Sequence, residues 1–276
     1  MALELQDGIW FPRGGMFGIV KSLISIAEKR NITIHYNCPI DKIKVENDQA
    51  KGVVLYNGTV EKGDIIVVNA DLPYAYRELL PQNKKIRNFD KMQFTNSALV
   101  FHWGMDRIFP QLGHHSIFLP KDYNNTMKSI FKNKHFPKDP LIYLCRPTRT
   151  DSTAAPEGND TISAVIPIGH IDKNKSQNWK MIKEMGRQAL INRLKKSHIH
   201  NFEKNIKFEC CDSPETWVNK YNLTLGALFG SLSHNLSQIG YLRPQIQHKI
   251  FKNIFFVGSC THPGSGIPMV FFLPNM

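Results

Sequence analysis

One stretch near the end of this 276-residue chain restricts the choice of fold more than any other. It reads Ile254-Phe255-Phe256-Val257-Gly258-Ser259-Cys260-Thr261-His262-Pro263-Gly264-Ser265-Gly266-Ile267-Pro268. Four apolar residues in a row suit a buried strand, and three glycines free the backbone beyond it. Pro268 has a fixed φ that fits the first turn of a helix. A strand that leads through such a turn to a helix N-terminus presents bare N–H groups to an electron-rich ligand, such as a phosphate or a reduced flavin ring. The spacing of Gly258, Gly264 and Gly266 fits neither G-x-G-x-x-G nor the Walker pattern. By spacing alone, a cofactor turn and an ordinary strand-to-helix connection both stay open.

From the start, Pro12 and Arg13-Gly14-Gly15 lead into an amphipathic helix with Met16, Val20, Leu23, Ile24 and Ala27 on one face and Asn31 as its stop. Ile32 to Tyr36 alternates as a strand does, with His35 on its polar side. Ile40 to Val45 and Gly52 to Tyr56 read as paired strands, and Asn57-Gly58 carries a type I′ hairpin signal. Ile65 to Val68 is continuously apolar, as in a strand covered on both faces. Asn69-Ala70-Asp71 at its carboxyl end should lie near a ligand layer, although Asp71 also suits the N-cap of a helix over 73–80.

Beyond Phe94 short apolar strands alternate with polar loops, at Ser97 to Trp103, His115 to Leu119, Leu141 to Cys145 and Ile162 to Ile168. They predict a mixed or antiparallel sheet. Residues 147–160 read as a loop. A helix follows over 177–198, with Trp179, Ile182, Met185, Ala189, Ile191 and Leu194 as its packing stripe.

Composition bounds the partners. The net charge of +12 calls for an acidic surface, yet the lysines are scattered and no nucleic-acid motif accompanies them, so no nucleic-acid partner is expected. An ordinary solvated basic surface is the first reading of that charge, and attraction to an anionic membrane face is the next. The 5 cysteines show no C-x-x-C spacing and read as free thiols of a reducing, intracellular compartment. His114-His115 and His198-Ile199-His200 lack metal-ligand spacing, so no metal site is expected. No leader peptide and no apolar run of spanning length is evident, which makes any membrane contact peripheral.

The wording of Asn253 to Pro268 resembles the carboxyl-terminal flavin motif of the phytoene desaturases, the carotenoid-desaturase branch of the two-domain flavoprotein oxidases. In that family an asparagine and an apolar run precede Val-Gly, small residues, Thr-His-Pro-Gly, a further Gly and Pro. Gly8-Ile9-Trp10-Phe11-Pro12-Arg13-Gly14-Gly15 and Val67-Val68-Asn69-Ala70-Asp71 agree with the same family. The resemblance implies an α/β chain forming an incomplete two-domain flavoprotein oxidase fold. A partial FAD-binding, Rossmann-like layer would join a mixed β-sheet substrate domain with helices.

Residues 1–75 and 251–276 would then belong to the FAD-binding part and 76–250 to the substrate part. The amino-terminal Gly-rich βαβ unit of the family is not recognisable, so the chain is expected to be roughly the carboxyl-terminal half and to hold FAD poorly by itself. Residues 269–276 depart from the family's closing helix.

The resemblance also assigns roles. Gly258, Thr261, His262, Gly264 and Gly266 would meet the flavin ring, with N–H groups around Ile267, Pro268 and Met269 aimed at its electron-rich edge. Leu225, Phe229 and Tyr241, with Leu232 and Trp217 as further candidates, would wall an apolar tunnel for a long phytoene-like polyene. Such a hydrocarbon offers nothing to a general acid or nucleophile, so the protein's task is position and dryness around a hydride acceptor. A flavin-dependent carotene isomerase, or a non-catalytic module that binds membrane or an intact desaturase subunit, would account for the same residues.

Overall fold

A computed structural model describes residues 8, 10–82, 89–133, 135–239, 242–262 and 264–266. Helix α1 (Met16–Lys29) ends where Asn31 takes the left-handed conformation, φ 56°, and Ile32 N donates back to Ala27 O at 2.9 Å. Its apolar stripe is present, but none of its residues is buried. Residues 32–36 form no strand, and Ile32, Ile34 and Tyr36 are exposed. Alternation alone supplied no partner to hydrogen-bond with, and a strand needs one.

Strands β1 (Ile40–Glu46), β2 (Gln49–Leu55) and β3 (Val60–Lys62) make an antiparallel sheet. The type I′ turn falls at Asn47-Asp48, φ 50° and 56°, between β1 and β2. Asn57-Gly58 does close a hairpin, between β2 and β3, but only Gly58 has positive φ, at 84°. That turn is the three-residue kind, with Gly58 N donating to Leu55 O at 2.9 Å and Thr59 O accepting from Leu55 N at 2.8 Å.

Strand β4 (Ile66–Val68) leads into a helical turn, Leu72–Tyr74, that widens to π geometry over Ala75–Leu79. Far along the chain β10 (Ile254–Phe256) returns parallel to β4, pairing Ile254 with Ile66 and Phe256 with Val68. Asn253 ties this return to the first sheet. Its carboxamide accepts from Ala50 N at 2.9 Å and donates to Ala50 O and Asp64 O, each at 2.8 Å. The pair is covered on one face only: Ile254 and Phe256 are buried, whereas Ile65, Val67 and Val257 are 63, 60 and 42% exposed. Full coverage of an apolar run was the sequence expectation, and β4 does not meet it.

The larger sheet runs in the order β6 (His115–Phe118), β7 (Ile142–Cys145), β8 (Asp160–Ile168), β5 (Ser97–Met105), β9 (Ile206–Asp212), all antiparallel. Helix α2 (Tyr123–Lys128) lies between β6 and β7 in the chain. Helix α3 (Trp179–Lys196), capped by Asn178 Oδ1 on Met181 N at 3.0 Å, lays Leu190, Ile191 and Leu194 on Leu99, Phe101 and Trp103. Gly186 allows the close approach, since a Cβ there would stand 2.5 Å from Leu99 Cδ1. Met185, assigned to the packing stripe, is 43% exposed. On the other face of β5, Ala98 and Val100 meet Trp217 of α4 (Pro214–Tyr221). Because β5 is covered on both faces, nearly all its residues are buried, as a central strand requires.

The core divides accordingly. One apolar cluster joins the large sheet to α3; another gathers Ile43, Val68, Leu72, Leu79, Phe89, Leu232, Phe251, Ile254 and Phe256 around the parallel pair.

Candidate functional site

Beyond the carboxyl ends of β4 and β10 the chain turns through Val257 to Gly266. In open α/β sheets this is where ligands settle. Gly258 has φ 121° and Gly264 φ 124°, values that L side chains rarely adopt, so glycine is required at both. A Cβ on Gly258 would also press to 3.0 Å from Asn69 Oδ1 at the end of β4.

Two side chains hold this turn from behind. Arg243, 1% exposed, donates from Nε to Thr261 O at 3.1 Å and from Nη1 to Gln238 O at 3.1 Å, and Nη2 donates to Ser259 O. Burial pushes its pKa down, and carbonyl dipoles compensate the charge. Asp71 is the second. Its carboxylate caps no helix N–H; it accepts from Thr224 N at 3.1 Å, from Thr224 Oγ1 at 2.6 Å and from the Ser231 hydroxyl. The buried Cys260 thiol reaches the same carboxylate at 3.6 Å, and burial, followed by that charge, pushes the thiol up to about 11.

Asp71 thereby positions the turn Thr224–Gly226, in which Leu225 is held left-handed at φ 59°, ψ 14°. A leucine in that region carries strain that its surroundings must sustain. Leu225 and Phe229 line an open groove of about 1460 Å³ that also reaches Ser265 of the glycine turn. Phe94, Phe131 and Tyr76 contribute apolar wall, interleaved with Gln93, Asn96 and Asp172, so the lining is mixed rather than an apolar tube. His234, in the same wall, stands 3.4 Å from Ser265 Oγ, and burial, then the Arg243 charge, favours its neutral form.

The expected site residues divide by this geometry. Gly258 and Gly266 are exposed, and Gly264 is buried against His234. Thr261 is 2% exposed and spends its hydroxyl on Gly258 O at 3.0 Å, which makes it a brace within the turn. His262 is half-buried, its N–H donating to Pro244 O at 3.2 Å. Ile267, Pro268, Met269 and Tyr241 lie outside the described residues. Trp217 and Leu232 are core: the Trp217 indole donates to Ala98 O at 3.0 Å, and Leu232 is fully buried. Reasoning from sequence missed Arg243 and the bridging role of Asp71. The sole signal for Arg243 was a basic residue set among apolar ones, which does not show burial.

The family described as flavin containing amine oxidoreductase matches residues 2–271. The zeta-carotene-forming phytoene desaturase of Myxococcus xanthus is 37% identical over 269 residues, covering 97% of this chain and 51% of that protein. The phytoene desaturase of Phycomyces blakesleeanus is 36% identical over 276 residues, with 97% and 47% covered. The chain thus spans about half the length of the curated relatives it matches. Among solved structures, an oxidoreductase from Methanosarcina mazei superposes with a TM-score of 0.60 at 15% identity, over 91% of this chain and 50% of that one.

Proposed function

The chain belongs to the flavin containing amine oxidoreductase family, and on that premise we propose that it is the substrate-facing half of a carotenoid desaturase that dehydrogenates a C40 polyene with FAD as hydride acceptor. The observation that carries this reading is one groove in which Ser265 of the glycine turn meets Leu225 and Phe229. A ring resting on the turn would face a substrate lying along those two side chains.

The residues present fit a flavin. Gly258 and Gly266 are exposed and have no side chain, so a flat ring can approach their backbone closely. When bound, the flavin supplies the acceptor for a hydride from the substrate. The chain's own work is placement. Arg243 and Asp71 hold the glycine turn against the groove wall, and Leu225, Phe229 and Phe94 exclude water from an apolar substrate. The substrate has no ionisable group, so Thr261 and His262 act in building the turn.

The nucleotide end of FAD needs a further grip. The bare side of the parallel pair offers a place for it: Val67 and Val257, 60 and 42% exposed, lie at the start of the turn. We assign this face to a dinucleotide-binding portion, matching the half of the relatives' length that this chain does not span. Contact with a membrane, from which so insoluble a substrate would be drawn, is peripheral in this proposal. Among the described residues no helix is long and apolar enough to cross one.

The test uses the 276-residue chain alone and co-purified with the amino-terminal half of a bacterial phytoene desaturase. The chain alone is expected to carry no flavin, and the pair to retain FAD and convert phytoene to more desaturated products on chromatography. Stoichiometric FAD on the isolated chain would overturn the half-site reading. A flavin-loaded pair that leaves phytoene unchanged, or that isomerises it without loss of hydrogen, would overturn the reaction.

A further inference from the structure

We propose that His114, His115 and Cys145, at the outer edge of the large sheet, form a zinc(II) site independent of the flavin chemistry. The register of β6 on β7 sets His115 directly opposite Cys145, so both side chains leave the sheet on the same face. His114, one residue before β6, is drawn alongside because its carbonyl accepts from Arg146 N at 2.8 Å. The two imidazole centroids are 4.4 Å apart. One nitrogen from each ring and the Cys145 sulfur all lie within 4.8 Å of one another.

The surroundings of the cluster are those of a ligand set. Each ring rests its Nδ1 on a hydroxyl, His114 on Thr150 Oγ1 at 2.6 Å and His115 on Tyr143 Oη at 2.7 Å. In the tautomer whose Nδ1–H donates to these hydroxyls, the Nε2 lone pair is left for a metal. His114 Nε2 is buried and has no hydrogen-bond partner, a costly state for a polar atom that a cation would relieve. Phe11 packs edge-on against the His114 ring at 4.7 Å and shields it. Behind the site, Arg146 and Asp160 form a buried ion pair at 2.9 Å, so the loop after Cys145 is anchored.

Two imidazoles and a thiolate select a borderline-soft ion and reject magnesium and calcium, which take oxygen ligands. Three protein ligands leave the fourth tetrahedral position to water. Donor atoms in such a tetrahedron stand roughly 3.3–3.7 Å apart, and the exposed His115 can close that distance by side-chain rotation. The thiol proton leaves to solvent as the zinc–sulfur bond forms, which balances the step. The bound ion would clamp edge strand β6 to the end of β7 at Cys145.

The experiment titrates cobalt(II), a coloured stand-in for zinc, into the metal-free chain. One equivalent is expected to bind with a thiolate-to-cobalt charge-transfer band that zinc(II) then abolishes. Cys145→Ser should remove the band and weaken binding by at least about 100-fold, Tyr143→Phe should weaken it by about 10-fold, and Cys210→Ser should change neither. A wild-type chain that shows no such band, or an undiminished band in Cys145→Ser, overturns the site. The readout needs no flavin and no substrate, so it stands or falls apart from the proposed function.

Discussion

Asp71 and Thr224, 153 residues apart, are joined twice: one carboxylate oxygen, Oδ2, accepts from the Thr224 backbone nitrogen at 3.1 Å and from its hydroxyl at 2.6 Å. The link runs from the end of β4, in the parallel pair, to the left-handed turn that presents Leu225 to the groove. Ser231 adds a bond to the other oxygen, Oδ1. One carboxylate therefore sets the distance between the glycine turn and the groove wall.

Replacing it should loosen both ends. Asp71→Ala strands the Thr224 N–H and removes charge-assisted bonds, with an expected loss of about 3 kcal/mol in urea unfolding. Asp71→Asn keeps an acceptor but turns an amide N–H₂ toward other donors, so it should recover only part of the loss. A midpoint unchanged in Asp71→Ala would mean that these bonds are remade with water.

Arg243 makes a similar claim on the glycine turn. Arg243→Met retains the apolar stem but orphans the carbonyls of Ser259, Thr261 and Gln238, at an expected cost of roughly 2–4 kcal/mol. Arg243→Lys should rescue little, because one ammonium cannot reproduce the guanidinium fork. Amide hydrogen exchange at Thr261 and His262 is the sharper measurement, and exchange should speed up in both variants.

The Cys260 thiol, buried against Asp71, has its pKa pushed up to about 11, so the folded protein keeps it protonated. In mildly alkaline iodoacetamide the exposed Cys210 should be labelled well before Cys260, as peptide mass spectrometry would show. Below the ordinary thiol range its contribution to stability is fully present; it declines as pH rises toward 11, because the unfolded thiol ionises first. Equal labelling of the two thiols in the folded chain would contradict this burial.

The bare face of α1 leads to an unusual expectation. Phe17→Ser with Leu23→Ser should change the stability of the isolated chain by no more than about 0.5 kcal/mol, since neither side chain is buried. Binding of an apolar dye should fall in the same variant. A loss of several kcal/mol would show that α1 packs on something in solution.

Much of the architecture could be read from local chemistry. Helix α1 and helix α3, the four short strands after Phe94 and the returning strand β10 all announce themselves through apolar period and their caps or breakers. Those signals act over a few residues, where sequence and geometry are directly coupled. The same is true of the glycines at 258, 264 and 266, whose positive φ the turn demands. The family wording added the cofactor class that spacing withheld.

Only tertiary structure decided which faces are covered, and by what. The run Ile65 to Val68 reads as doubly buried, yet among the described residues β4 pairs with β10 alone and lies bare on one side. Asp71 suits a helix cap but bonds across the fold, and Arg243 looks like any surface base until carbonyls surround it. His115 and Cys145 meet through strand register, which no spacing along the chain encodes. Residues distant in sequence become neighbours through packing, and a long-range contact depends on the whole fold rather than on any segment that contributes to it.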